Sequence, residues 1–231
     1  TDASVDGTAA ITLDGTGAQT ITGGAVDWPN GTFTINKASG TATLSGNLTL
    51  GTSQALNITS GTLDQGASFN LTSGALTIGA SGTLRNVGNG DLTLGGTLDN
   101  SGIVTLDSHG GGTGHDDLDE ILIRSSAAAQ RTWQGSGTFT LVDLDVSYQA
   151  KGATPATLTC TACTDSLNNT GWTFAAGPAI KSWDGGGTDA TCGGLAGDGN
   201  KWSCAANWSG DIAPISTDIV VFNGETSVKN A

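Results

Sequence analysis

Short segments of this chain return along its length. Ala55-Leu-Asn-Ile58 recurs as Ala75-Leu-Thr-Ile78, and Ser60-Gly-Thr-Leu63 recurs as Ser81-Gly-Thr-Leu84. A third match sets Thr62-Leu-Asp-Gln-Gly-Ala-Ser-Phe-Asn-Leu71 against Thr97-Leu-Asp-Asn-Ser-Gly-Ile-Val-Thr-Leu106. A repeat of about 20 residues, built of apolar pairs between glycines, is the mark of a β-solenoid coil. Such a coil buries its apolar side only by stacking on the next one.

The pairs are Ile11/Leu13, Phe33/Ile35, Ala42/Leu44, Leu48/Leu50, Leu56/Ile58, Phe69/Leu71, Leu76/Ile78, Leu92/Leu94 and Val104/Leu106. Alternation with a period of two predicts strands with one dry and one wet face. Strands of about three to five residues are too short to stand as hairpins. Stacked in parallel, Leu56, Leu76 and their equivalents form an aliphatic column, with Thr and Asn as ladders outside. The rival all-β architecture is an antiparallel sandwich, which needs Asn-Gly or Asp-Gly hairpin turns. Asp6-Gly7, Asp14-Gly15 and Asn30-Gly31 sit near the start, but only Asn89-Gly90 lies within the repeat. Glycine recurs too often, without capping signals, for helices to form. The chirality rule for parallel crossovers predicts a right-handed tube.

Composition narrows the function classes. The chain has 231 residues, 37 of them Gly, and a net charge of −13. A basic footprint for nucleic acid is lacking, and an anionic membrane surface is disfavoured for the same reason. No run of about 18 apolar residues predicts a membrane-spanning helix. The sequence opens at Thr1 with neither Met nor a signal-peptide pattern, which reads as a processed or excerpted chain. The surface acidity suits solubility, extracellular life and weak divalent-cation binding.

Cys160, Cys163, Cys192 and Cys204 make an even count in a strand-and-turn chain, which favours disulfides and an oxidising compartment. A four-Cys zinc site is the weaker alternative, because the second pair is spaced far wider than two to four residues. In a strand, positions i and i+3 face opposite sides, so a Cys160–Cys163 bond requires a turn or bulge. Local pairing, 160–163 with 192–204, and a crossed scheme both remain open.

The rhythm breaks after Leu106 in a Gly-rich excursion and resumes at Ile121-Leu-Ile123, Trp133, Phe139-Thr-Leu141 and Leu144-Asp-Val146. Gly111-Gly-Thr-Gly-His-Asp116-Asp-Leu118 fits a calcium-binding β-roll turn, with Asp116, Asp117 and Asp119 as candidate calcium ligands. It stands as a single copy where such sites use two, and His109 and His115 flank it without informative spacing. Acid–base chemistry on a polysaccharide would draw on Asp116, Asp117, Asp119, Asp143 and Asp145, with Arg85, Arg124 and Arg131 stabilising charge. Asp143 and Asp145 alternate with Leu144 and Val146, as wet strand positions do. No Gly-x-Ser-x-Gly elbow, P-loop or His-Glu-x-x-His pattern is present. Thr-x-Thr occurs at 41/43 and 138/140, among other places, but not once per coil, which argues against ice or mineral matching.

Trp172 and Phe174, in Asn168-Asn-Thr-Gly-Trp-Thr-Phe174, are placed to plug the open end of a tube. Composition changes near residue 176. The remainder carries Trp183, Trp202 and Trp208, half of the six Trp, and ends in Asp218-Ile-Val-Val-Phe222.

Two patterns resemble the large, repetitive, secreted surface proteins of bacteria, of the autotransporter-adhesin and haemagglutinin-like kind. One is the Asn-Asn-Thr-Gly-Trp-Thr-Phe segment. The other runs from Trp183-Asp-Gly-Gly-Gly through Trp202, Ala206-Asn-Trp-Ser-Gly210 and Pro214 to Asp218-Ile-Val-Val-Phe222. The resemblance implies a bacterial, extracellular or cell-surface scaffold or adhesin and carries no catalytic residues. The Cys192/Cys204 pair departs from the commonest form of the second pattern and implies a local disulfide there.

The sequence thus predicts an all-β chain. A right-handed parallel β-solenoid (β-helix) occupies 1–176. A small disulfide-tied β module, the start of a following solenoid unit, occupies 177–231. The expected role is a non-enzymatic structural or adhesive subunit that contacts host surfaces or polysaccharide. Read as a ring, Asn230-Ala231 runs into Thr1-Asp2. Copies are therefore expected to join head to tail, with Asp218, Ile219, Val220, Val221 and Phe222 as the added strand. A carbohydrate-active β-helix enzyme is the alternative.

Overall fold

The first two recurrences lie beside one another in space. In a computed structural model of the chain, Leu56, Asn57 and Ile58 pair with Leu76, Thr77 and Ile78 on a parallel strand, and residues 60–63 pair with 81–84. The structure describes residues 7–23, 28–108, 120–177, 180–183, 202–208, 211–215 and 219–221. They divide into two compact units, 1–175 and 176–231.

The first unit is a parallel β-solenoid in which chain order is stacking order. The first coil supplies β1 (Ile11–Gly15) and β2 (Gln19–Ile21), and the second supplies β3 (Phe33–Leu44) and β4 (Leu48–Thr49). Next come β5 (Leu56–Asp64) with β6 (Leu71–Ser73), then β7 (Leu76–Asn86) with β8 (Leu92–Leu94). The following coils have three separate strands each. These are β9 (Leu98–Asn100), β10 (Ile103–Asp107) and β11 (Ile121–Ser125), then β12 (Arg131–Gln134), β13 (Thr138–Val142) and β14 (Leu144–Val146). The last are β15 (Gln149–Lys151), β16 (Leu158–Thr161) and β17 (Thr164–Asp165), closed by β18 (Trp172–Ala175).

These strands form three walls. One wall holds β1, the first parts of β3, β5 and β7, then β9, β12 and β15. The second holds β2, the later parts of β3, β5 and β7, then β10, β13, β16 and β18. The third runs β4, β6, β8, β11, β14, β17. Among the described residues of this unit every ladder is parallel, so the antiparallel sandwich is replaced by a tube.

Register aligns the inward side chains. On the first wall Ile11, Phe33, Leu56, Leu76, Leu98 and Trp133 form one column. On the second wall Ala42, Leu63, Leu84, Val104 and Phe139 stack, and on the third Leu48, Leu71, Leu92, Ile123 and Val146 stack. Nearly all of these are fully buried, and together they make one continuous core.

Three sequence expectations need correction. The strands β3, β5 and β7 run 12, 9 and 11 residues. They are longer than expected because each bends through a corner, at Gly40 and Gly61 with φ of +77 in β3 and β5. The third recurrence joins different walls: Leu63 stacks on Leu84, whereas Leu98 stacks on Leu76. Leu63, Leu84 and Leu98 were also absent from the apolar pairs, because the inward position two residues on is an amide. Gln65, Asn86 and Asn100 are wholly buried.

Those amides hold the corners. Asn86 Nδ2 donates to the Gly90 carbonyl at 2.6 Å, and its Oδ1 accepts from Gly88 N–H. Asn100 Nδ2 donates to the Thr138 carbonyl on the next coil at 2.9 Å, and its Oδ1 accepts from Gly102 N–H. Gln65 Nε2 reaches the carbonyls of Phe69, Gly90 and Asp91. Corner backbone groups thereby find partners without water, as buried polar groups must.

Backbones also approach each other closely at a corner. A Cβ on Gly102 would collide with the carbonyls of Gly82 and Gly79, and one on Gly137 with the Gly102 carbonyl.

In the second unit, β19 (Ile180–Ser182) and β20 (Ile219–Val221) pair in parallel, Ile180 beside Ile219. Trp208 is fully buried, edge-on to Trp183 at 4.9 Å and to Trp202 at 4.7 Å. Its Nε1 donates to the Trp202 carbonyl at 2.8 Å.

Two substitutions test this packing in urea unfolding. Leu76→Ala, in the middle of its column, is expected to cost about 2–5 kcal/mol. Gly102→Ala should cost about 1–3 kcal/mol through overpacking. Gly17→Ala, where an added Cβ meets nothing within 4 Å, should stay within about 0.5 kcal/mol.

Candidate functional site

The outer surfaces of the walls are ladders of polar residues. On the second wall Thr20, Thr43, Asp64, Arg85, Thr105 and Thr140 form one row. Thr41, Thr62, Thr83, Ile103 and Thr138 form the row beside it. Threonines far apart in sequence therefore meet, although the Thr-x-Thr motif itself does not recur in each coil. Asp64 and Arg85 interrupt the first row as an ion pair, and the exposed Ile103 interrupts the second.

The third wall carries a ladder of a different kind. Asn47 Oδ1 accepts from Asn70 N–H, and Asn70 Oδ1 accepts from Asp91 N–H, both at 2.9 Å. Asp91 Oδ1 stands 3.4 Å from Leu122 N–H in the same relation. Asp91 thus occupies an asparagine position. Burial raises its carboxyl above the ordinary value of 3.8, and the Leu122 N–H and the charge of Arg124 only partly oppose this. Arg124 forks onto both carboxylate oxygens of Asp145 at 2.6 and 3.2 Å and also reaches the Asp145 carbonyl at 2.7 Å. Nearby, Thr164 Oγ1 donates to Glu120 Oε1 at 2.7 Å.

The acid–base candidates are dispersed. Asp143 is not a wet strand position. It is buried at a corner with φ of +57 and takes the Ser108 hydroxyl as a partner. Asp145 points to the third wall and is engaged by Arg124. Arg131 is directed to the hydroxyls of Ser125 and Ser126. The candidates Asp116, Asp117 and Asp119, with His109 and His115, lie outside the described residues. Among the described residues, no group of three or more His, Cys, Asp or Glu is placed to hold a metal ion.

Cys160 and Cys163 are joined by a disulfide, with Cα atoms 5.7 Å apart. The turn this spacing requires is made at Ala162, whose φ is +55. Cys160 ends a buried column of the second wall, and Cys163 packs on the core from the corner beyond. Cys204 is also disulfide-bonded, while Cys192 lies outside the described residues.

The ends of the tube form the remaining candidate site. At the start, among the described residues, β1 and β2 each pair toward the second coil. Ile11 and Leu13 are half-buried, whereas Phe33 and Ile35 beside them are at 1 % and 0 % exposure. Trp28 stands edge-on to Phe33 at 5.5 Å. At the other end, among the described residues, β18 pairs with β16. Trp172 is edge-on to Trp133 at 5.0 Å and stacked on Phe174 at 6.2 Å. Both rings pack on the core while remaining partly exposed. Of the expected added strand, Ile219, Val220 and Val221 form β20, while Asp218 and Phe222 lie outside the described residues.

Compared with protein-family models, with curated proteins and with solved structures, the chain matches none. The arrangement is that of a β-helical repeat protein, and the fold carries this statement alone.

Asp91 yields a pH test with a definite sign. A carboxyl raised by burial keeps its proton in the folded state where the unfolded chain has lost it. Ionising it therefore costs stability as pH rises from the ordinary aspartate value through the raised one. Asp91→Asn removes that cost and extends the Asn47–Asn70 ladder. The stability gain of Asp91→Asn over the parent is expected to grow with pH across that window and then level off, in thermal melts at a series of pH values.

Proposed function

We propose that this chain is an extracellular structural or adhesive repeat subunit of a bacterial surface protein or fibre, and that its copies associate head to tail by adding strands at the ends of the tube. One observation carries the reading: among the described residues the coils stack in one parallel register, and the apolar column of the first wall runs unbroken from Ile11 to Trp133. An open edge is a template for another strand. A tube whose stacking rule is the same at every coil can be lengthened without new chemistry.

Other features agree with it. Disulfides belong to oxidising compartments outside the cytosol. The polar walls, with their ladders of threonine and asparagine, offer a regular contact surface along the axis for host-surface or polysaccharide ligands. The alternative, an enzyme acting on extracellular polysaccharide, needs two acid–base groups held together. Among the described residues Asp143 is buried beside Ser108 while Asp145 is engaged by Arg124, and the two do not form such a pair.

Negative-stain electron microscopy and multi-angle light scattering test the assembly. Rods of one width, in lengths of whole subunits, are expected to grow with concentration. A single monomeric particle at every concentration overturns head-to-tail association.

A further inference from the structure

Going beyond that reading, we propose that the Cys160–Cys163 disulfide is a redox-operated latch. It holds the corner after β16 in the backbone conformation on which β18 docks, and its reduction releases β18, with the rings of Trp172 and Phe174, from the core.

The corner repeats the one a coil earlier. Val142 pairs with Thr161, which sets Asp143 level with Ala162. Both residues are left-handed, with φ of +57 and +55. Both donate their N–H to the following coil, Asp143 to the Thr161 carbonyl and Ala162 to the Ala175 carbonyl, each at 2.9 Å. They reach this shape by different means. Aspartate is among the residues that enter the left-handed region, and the Asp143 carboxylate is held there by the Ser108 hydroxyl. Alanine has no polar group to hold, and its Cβ opposes the conformation. Such a residue persists only where its surroundings over-determine it. For Ala162 the determinant is covalent, because Cys160 and Cys163 bracket it with their Cα atoms 5.7 Å apart.

The bracket touches both neighbouring coils. Cys163 Sγ accepts from Leu144 N–H at 3.3 Å on the coil before. Cys160 is wholly buried and lies beside Phe174 in the ladder to β18. Cys163 is only partly buried, so an external thiolate meets its sulfur first. A dithiol attacks Cys163 Sγ, and the Sγ–Sγ bond breaks with its electron pair on Cys160, which takes up a proton. The second thiol of the reagent then displaces Cys163, leaving two thiols in the corner and a disulfide in the reagent. A disulfide reagent drives the same exchange backward. Without the bracket Ala162 relaxes to negative φ, its N–H turns away from the Ala175 carbonyl, and β18 loses the end of its ladder.

Hydrogen exchange on the full chain, read by mass spectrometry over 172–175, tests the latch. Cys160→Ala with Cys163→Ser removes the bond, keeps an oxygen for Leu144 N–H and leaves the Cys204 disulfide in place. Exchange at 172–175 is expected to rise by about tenfold or more, with 76–86 unchanged. Adding Ala162→Gly, which enters the left-handed region freely, should restore most of the protection. The parent chain treated with dithiothreitol should show the same rise at 172–175, reversed by oxidised glutathione. Three results overturn the latch: parent-like protection without the bond, a loss that Ala162→Gly does not relieve, or a Cys160–Cys163 bond that dithiothreitol leaves intact in the folded chain. None of them bears on head-to-tail association.

Discussion

Among the described residues, the backbone ladders in the walls of this tube run between neighbouring coils and not within one. Inward residues bond forward and outward residues bond back. A coil is therefore incomplete by construction, and its stability is borrowed from both neighbours, as in other one-dimensional stacks. The strict register that follows brings Leu56 over Leu76 and Leu98, and so turns a loose sequence repeat into a continuous apolar column. It also brings corner backbones so close that Gly102 and Gly137 admit no side chain. The continuous column and the crowded corners have the same origin.

A tube of this kind must turn three times per coil, and every turn carries peptide groups into a dry interior. Amide side chains solve this at several corners. Asn86 offers both a donor and an acceptor to the turn that follows, whereas Asn100 accepts from its own turn and donates to the next coil. Leaving such groups unpaired would cost about 1–3 kcal/mol each, comparable to what a buried aliphatic side chain contributes. The amides are as much a part of the interior as the leucines. Their polarity disguises them in a reading based on hydrophobic alternation.

That disguise marks the limit of what the sequence tells. Where both inward positions are apolar, as in Leu56/Ile58 or Leu92/Leu94, strand and orientation could be read directly. Where one is Gln65, Asn86 or Asn100, the strand was passed over. The match of 62–71 with 97–106 failed for a related reason: similar strands occur on different walls, and composition does not tell one wall from another. Surface constellations were the least legible. The Thr62, Thr83 and Thr105 ladders depend on coil lengths that vary. Asp143 reads as wet from alternation, yet a left-handed residue at the corner turns it inward. The Cys160–Cys163 turn was accessible because bond geometry itself demanded one.

The first coil shows how one coil is held in place on the next. Lys37 is fully buried beside the first coil, its stem covered and its ammonium donating to Gln19 Oε1 at 2.8 Å and toward the Asp14 carbonyl at 3.4 Å. Both acceptors belong to the first coil and both are neutral, so the charge is held by hydrogen bonds rather than by a counter-ion. Burying a cation this way is expensive and brings little net stability. What it gives is position, because the ammonium stays satisfied only while residues 14 and 19 remain over the second coil. The first coil is thereby pinned to the second between its two strands, β1 and β2.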